Sequence, residues 1–416
     1  MAKKPEGLRQ IDGLALMNRI ESARRANAVL EQSISHYAEG AGQNDFDSHA
    51  TINSSNISTV HEQMALPKER NNAPSPVRKA IADKGHQPIG ALFDGVSPRE
   101  VKRTADVVAK KGKTPDKLTR ADFALIEAAA NIATNPVPEW DNWSYYHAIL
   151  CQVGFPRSQV DGMQFMRQSG EAWVNLQAGV LDEGKGPVQQ PIPYGVLPRL
   201  AMAWISTFAV RNKEREILIG DSASDFLSLM GMDDQGARHK TLRKQMHALA
   251  ACRVQLGFRG DTYNGQPVKK FSAWAPDGGA KQRALWPGSL VLDQEYFDTL
   301  IQHAVPLDNR AMMALKGSAL ALDVYAWLAH RLHRIEGNKS VMLNWKSLRE
   351  QFAQEYQGKG SEKDFKREFI PALNKVLVVY PQANVTRIEG KKGQKPGGLL
   401  LRGSAPPVPL KGGPTK

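Results

Sequence analysis

Between Leu242 and Phe258 the apolar period of the chain changes from that of a helix to that of a strand. In LRKQMHALAACRVQLGF, Leu242, Met246, Leu249 and Ala250 share one arc of a helical wheel. Cys252, Val254, Leu256 and Phe258 then alternate with Arg253, Gln255 and Gly257, as on a half-buried strand. Opposite the apolar arc stand Lys240, Arg243, Lys244 and His247, with Arg238 just before and no acid among them. The chain must therefore present a basic helix that runs straight into β-structure. A solvated helix face would also carry such charge, so the rest of the chain has to decide.

The preceding residues supply a Leu197–Val210 helix, a Glu216–Ile219 strand and a Ser222–Met230 helix. After the basic helix, CRVQLGF and a run around Val268–Ala275 predict a hairpin whose loop, RGDTYNGQPVKK, has turn residues and basic ends. Helix, helix, basic helix, hairpin is the order of a winged helix-turn-helix. In that geometry the second helix of the pair lies in the major groove, its polar side chains reaching base edges and its basic ones phosphates.

The order recurs. Trp345, Leu348, Phe352 and Tyr356 stripe a helix opened by Asn344. Phe365, Phe369, Leu373 and Val376 stripe the next, with Lys363, Lys366, Arg367 and Asn374 opposite. NVTRIE, the tip GKKGQKPGG and LLLR then predict a hairpin carrying Lys391, Lys392 and Lys395. From 316 onward 18 lysines and arginines face eight acids, which is hard to attribute to solubility when a first basic unit precedes. Pro371 falls inside the second basic helix, where a lost hydrogen bond costs about 3 kcal/mol and predicts a kink or restart.

These readings give an α+β, helix-rich chain with two tandem winged helix-turn-helix domains after a poorly ordered N-terminal region. Residues 1–135 read as an arm and linker, largely disordered or loosely helical. Residues 40–90 are polar and rich in Asn, Ser, Gln and Pro, and short helices are predicted at 7–38, 98–110 and 119–133. The first winged-helix domain is assigned to 136–305, the second to 306–403, and 404–416 to a flexible tail. Over the 416 residues Lys and Arg outnumber Asp and Glu 55 to 42, a formal charge of +13, which favours nucleic acid ahead of a membrane. No apolar run of about 18 residues is present, so no transmembrane helix is expected. Cys151 and Cys252 stand far apart without metal-ligand spacing, as suits a reducing cytoplasm.

Catalytic constellations are weak. Gly231–Gly236 has phosphate-loop glycine spacing but lacks the Lys-Ser/Thr that would meet phosphates and magnesium. His330 and His333 have no acid or Cys partner at metal-ligand spacing and read as a basic helix end. Tyr145 and Tyr146 could serve an origin-nicking nucleophile, but no His-hydrophobe-His cluster accompanies them and packing explains them better. Asp233-Asp234 and Asp182-Glu183 lie in turn-rich stretches. The reading is of a protein without catalytic residues, metal or cofactor.

FMRQSGEAWVNLQAG (165–179), the run from Pro193 to Met232, LRKQMHALAACRVQLGF (242–258), ALALDVYAWLAHRLHRI (319–335), NWKSLREQFAQEY and LNKVLVVYP (373–381) resemble the RepA-type plasmid replication initiators. The resemblance runs from about 145 to 403, with its blocks in order. It implies a protein that binds repeated sites on double-stranded plasmid origin DNA, helps open the neighbouring duplex, and draws in the host replication initiator and helicase. It also implies a homodimer that represses its own promoter. A winged-helix transcriptional repressor and, behind it, an origin-nicking enzyme are the alternatives.

Overall fold

The computed structural model describes residues 119–183, 186–220, 222–233, 235, 237–271, 289–354, 360–390 and 397–409. The helices expected at 7–38 and 98–110, the polar stretch 40–90 and the end of the tail lie outside the described residues. Helix α1 (Arg120–Thr134) begins at a capping box, in which the Thr119 hydroxyl accepts from the Asp122 N–H and the Asp122 carboxylate accepts from the Thr119 N–H. It buries Leu125, Ile126, Ala129 and Ile132. The helix expected at 119–133 is thus present, with one face packed. Next come β1 (Trp143–His147), α2 (Ala148–Gln152), β2 (Gln164–Ser169), β3 (Ala172–Gln177), β4 (Val180–Asp182) and β5 (Pro187–Gln189).

A repeated pattern follows. Helix α3 (Val196–Asn212), strand β6 (Glu216–Leu218), and helices α4 (Ala223–Leu229) and α5 (Arg238–Ala251) lead through β7 (Arg253–Phe258) and β8 (Asp261–Gly265) to β9 (Val268–Phe271) and β10 (Ser289–Leu292). Strands β6, β10 and β9 form one antiparallel sheet with β10 in the middle. After α6 (Gln294–His303), β11 (Ala304–Asp308) and α7 (Asn309–Leu315), the order returns. It runs α8 (Ala319–Leu332), β12 (Ser340–Asn344), α9 (Trp345–Phe352), α10 (Ser361–Val379), β13 (Val385–Ile388) and β14 (Gly398–Arg402). Here too the last strand, β14, sits between the other two. Each unit is thus a helix, an edge strand, two helices and two strands, with β7 and β8 inserted before the last two strands of the first unit, and each is closed by a sheet of order first–third–second.

The first hairpin differs from expectation. CRVQLGF does become β7, but its partner is not the run at 268. Leu256 aligns with Val174 of β3 on one side and Tyr263 of β8 on the other, all three buried. The turn into β8 is the two residues Arg259 and Gly260, both at positive φ (53° and 96°), the backbone that favours a tight hairpin. Residues 252–265 are therefore spent in a separate sheet of order β2-β3-β7-β8, and β9 pairs instead with β10.

Two buried ion pairs fasten the parts. Arg199 on α3 meets Asp323 on α8 through Nε–Oδ1 (2.7 Å) and Nη2–Oδ2 (2.8 Å). Its remaining N–H groups donate to the carbonyls of Phe155, Pro156 and Gly195. A Cβ at Gly154 would lie 2.6 Å from Asp323 Oδ1, so glycine is needed for this close approach. Arg310 makes a fork with Asp308 and donates to Asn131 Oδ1 and the Asn135 carbonyl, tying α7 to the end of α1. Helix α10 is continuous through Pro371 rather than restarted there. The Pro371 ring is exposed, so water can satisfy the carbonyl that loses its partner.

Candidate nucleic-acid interface

Helix α5 is built as its periodicity requires. Leu242, Met246 and Leu249 are fully buried, packed with α3, α4 and β9. The turn before it is set by the end of α4, where Gly231 adopts φ 67° and the Met232 N–H donates to the Leu227 carbonyl at 2.8 Å. This is a glycine-terminated helix end, which accounts for the glycine that resembled a phosphate loop. Arg238, half-buried, donates through Nη1 to the Asp233 carbonyl at 2.8 Å and so closes the turn between α4 and α5.

Lys240 and Lys244, one turn apart, are exposed on a helix with no acid in its sequence. Arg243 is half-buried, and its charge, after the hydrogen bonds from His247 and Gln190, helps hold the Glu183 carboxyl below its usual range. His247 departs from expectation. It is buried, its Nδ1 lies 3.1 Å from Glu183 Oε1, and its ring meets Phe271 edge-on. The β4-β5 hairpin covers that end of the helix, so His247 cannot face a ligand.

The second basic helix is arranged differently. Phe365, Phe369, Leu373 and Val376 are buried as expected. On the outer side, Lys366 pairs with Glu362 and lies over the Trp345 ring (5.2 Å), and Arg367 pairs with Asp364 at 3.1 Å. Glu368 receives Arg157 from another part of the chain at 3.5 Å. Lys363 is exposed. The charges of α10 are thus largely balanced by acids of its own or of its neighbours, whereas Lys240 and Lys244 have no acid on their own helix. Lys391, Lys392 and Lys395 lie outside the described residues, although β13 and β14 on either side of them do pair. Sequence reading passed over Lys269 and Lys270, exposed on β9 beside α5. Their signal was the basic end of RGDTYNGQPVKK, where the strand expected around Val268–Ala275 begins.

The tyrosines and histidines singled out elsewhere sit as follows. Tyr146 is buried and burial raises its hydroxyl pKa well above the ordinary value, while Tyr145 forms part of β1 beside Trp140. His330 is buried, and desolvation, then neighbouring arginines, lowers its pKa to about 3. Among the described residues no three His, Cys, Asp or Glu side chains are grouped to hold a metal ion. No described helix is long and apolar enough to cross a membrane.

Residues 192–347, from before α3 into α9, match the family model of the plasmid encoded RepA protein, in agreement with the resemblance of the sequence blocks. No curated protein matches the chain. Among solved structures, it is similar to a selenomethionine derivative of domains 2 and 3 of RctB, with 14% identity and a TM-score of 0.40 over 61% of this chain and 97% of that one. A second structure of RctB domains 2-3 gives 15% identity and a TM-score of 0.38 over 62% and 97%.

Proposed function

We propose that this protein is a plasmid replication initiator that binds repeated double-stranded sites at an origin through two winged helices in series. The observation that carries the reading is the repeated unit, in which a basic helix precedes a sheet of order first–third–second, together with the family match over residues 192–347. In this reading α5 and α10 are the groove helices, and β9-β10 and β13-β14 are the wings. Helix α5 gives the phosphate-facing charge through Lys240 and Lys244, with Lys269 and Lys270 on the wing strand beside it. Arg243, at the edge of the exposed arc, reads a base, and a bidentate Arg–guanine contact is worth about 1–3 kcal/mol of discrimination. Opening of the adjacent duplex, recruitment of the host initiator and helicase, and repression of its own promoter as a homodimer follow from the resemblance. The protein itself performs no covalent step and acts in the cytoplasm.

Mapping the DNA protected upstream of its own gene tests this. Direct repeats of about two helical turns each beside an A·T-rich tract are expected. A lone palindrome with no neighbouring repeats would assign the chain to the repressors instead. Arg243→Ala should weaken binding to the repeat far more than to random duplex.

A further inference from the structure

The four-stranded sheet β2-β3-β7-β8 has two unlike faces. One carries the row Arg167, Val174, Leu256 and Tyr263, all buried, with α2 packed against β3 and β7. The other is built of carboxamides and one indole. Gln164 Nε2 donates to Asn175 Oδ1 at 2.9 Å, and Asn175 Nδ2 donates to Gln255 Oε1 at 2.6 Å, a relay across three strands. In the next row Trp173 stands opposite Gly257, where an added Cβ would come within 2.0–2.4 Å of three indole atoms. The ring therefore lies flat on bare backbone with its other face turned away from the sheet. Met166, opposite Asn175, is 55% exposed. At the end of the face Arg253 is exposed, with Nε donating to Asn264 Oδ1 at 3.0 Å. The outward residues of these strands include no acid.

We propose that this face binds single-stranded nucleic acid, with a base stacked on Trp173, base edges on the carboxamides of Gln164 and Gln255, and a phosphate on Arg253. A flat aromatic ring offers sequence-tolerant stacking to a base whose own ring face is free. Carboxamides present both a donor and an acceptor, as does the edge of an unpaired base. In a duplex both surfaces are already used. An acid-free face with one arginine suits a polyanion. Gln354 Nε2 donates to the Gln168 carbonyl at the edge of β2 at 3.2 Å, while on the face Gln164, Gln168 and Arg253 are exposed, Trp173 and Gln255 are half-buried and Asn175 lies buried beneath them. The inference rests on the initiator reading only for the source of the strand, an opened duplex.

The test is the full chain titrated into a fluorescein-labelled oligothymidine of about 15 nucleotides, in the size range of single-strand sites, with anisotropy as readout. Trp173→Ala should weaken this binding about tenfold, the scale of one lost stack, and Trp173→Phe should keep most of it. Arg253→Gln, at an exposed position where folding is not at stake, should weaken it less and make its salt dependence shallower. All three should bind origin duplex like the parent, and Lys240→Ala with Lys244→Ala should do the reverse. No oligothymidine binding by the parent, or binding untouched by Trp173→Ala and Arg253→Gln, would overturn the assignment. So would a Trp173→Ala variant that sediments as a monomer where the parent is a dimer, which would give the face to a second copy. Oligothymidine binding without origin binding would sink the initiator reading and leave this one standing.

Discussion

At the residue scale, burial decides more than charge pattern. His247 shared the polar arc with Lys240, Arg243 and Lys244, yet the β4-β5 hairpin and Glu183 enclose it. A helical wheel cannot contain that hairpin, because it arrives from 60 residues upstream in an unrelated part of the sequence. Lys240 and Lys244 were legible because both stay exposed on the helix, as the wheel places them. His147 shows the energetic side of burial. Its Nδ1 accepts the Ile149 N–H at the start of α2, its ring stacks on Tyr296, and desolvation lowers its pKa to about 3. The folded form therefore stays neutral while the unfolded form protonates below its ordinary value near 6.5. Stability should be fully present above that pH and be lost as pH falls toward 3, by about 2 kcal/mol at pH 5. His147→Asn keeps an acceptor for the Ile149 N–H and removes the titration. Denaturant melts between pH 7 and 4 should then show a shallower decline, and an unchanged decline would show that His147 is not its source.

At the element scale, the helices were readable and the strand partners were not. Periodicity located α5, α9 and α10 within a few residues, since each carries a stripe that must be buried, and α3 and α4 lie where helices were expected at 197–210 and 222–230. The hairpin after α5 was misassigned because alternation fixes which face of a strand is buried but not its neighbour. The partner was settled by Arg259 and Gly260 turning the chain immediately into β8. The contrast between α5 and α10 yields a further prediction. Lys240 and Lys244 have no acid on their helix, whereas Lys366 and Arg367 each have one within a turn. Removing Lys240 and Lys244 together should make the slope of log affinity against log salt shallower by about 2. Glu362→Gln with Asp364→Asn should free two cations on α10 and steepen it by up to about 2. Equal slopes in all three proteins would remove both helices from the phosphate contacts.

At the scale of the whole molecule, the two repeated units do not hang on a linker. Their first helices are joined by Arg199 and Asp323, and strands β1 and β11 pair antiparallel beside them. Neither partner of that ion pair was singled out by sequence, since an arginine and an aspartate 124 positions apart carry no local signature. Asp323→Ala leaves Arg199 buried and uncompensated, which should cost about 3–5 kcal/mol. Chemical denaturation should show one transition in the parent and, in this variant, a lower midpoint. An unaltered midpoint would mean that water reaches the site. The join between α3 and α8 also has a consequence for the partner. In the proposed reading, two heads fixed on one block cannot turn independently, so a nucleic acid held by both would have to bring both contacted grooves to the same side. Five extra base pairs in the middle of a repeat, about half a turn, should abolish two-headed binding. Restoring a whole turn should bring the grooves back into phase but out of reach, leaving one head bound.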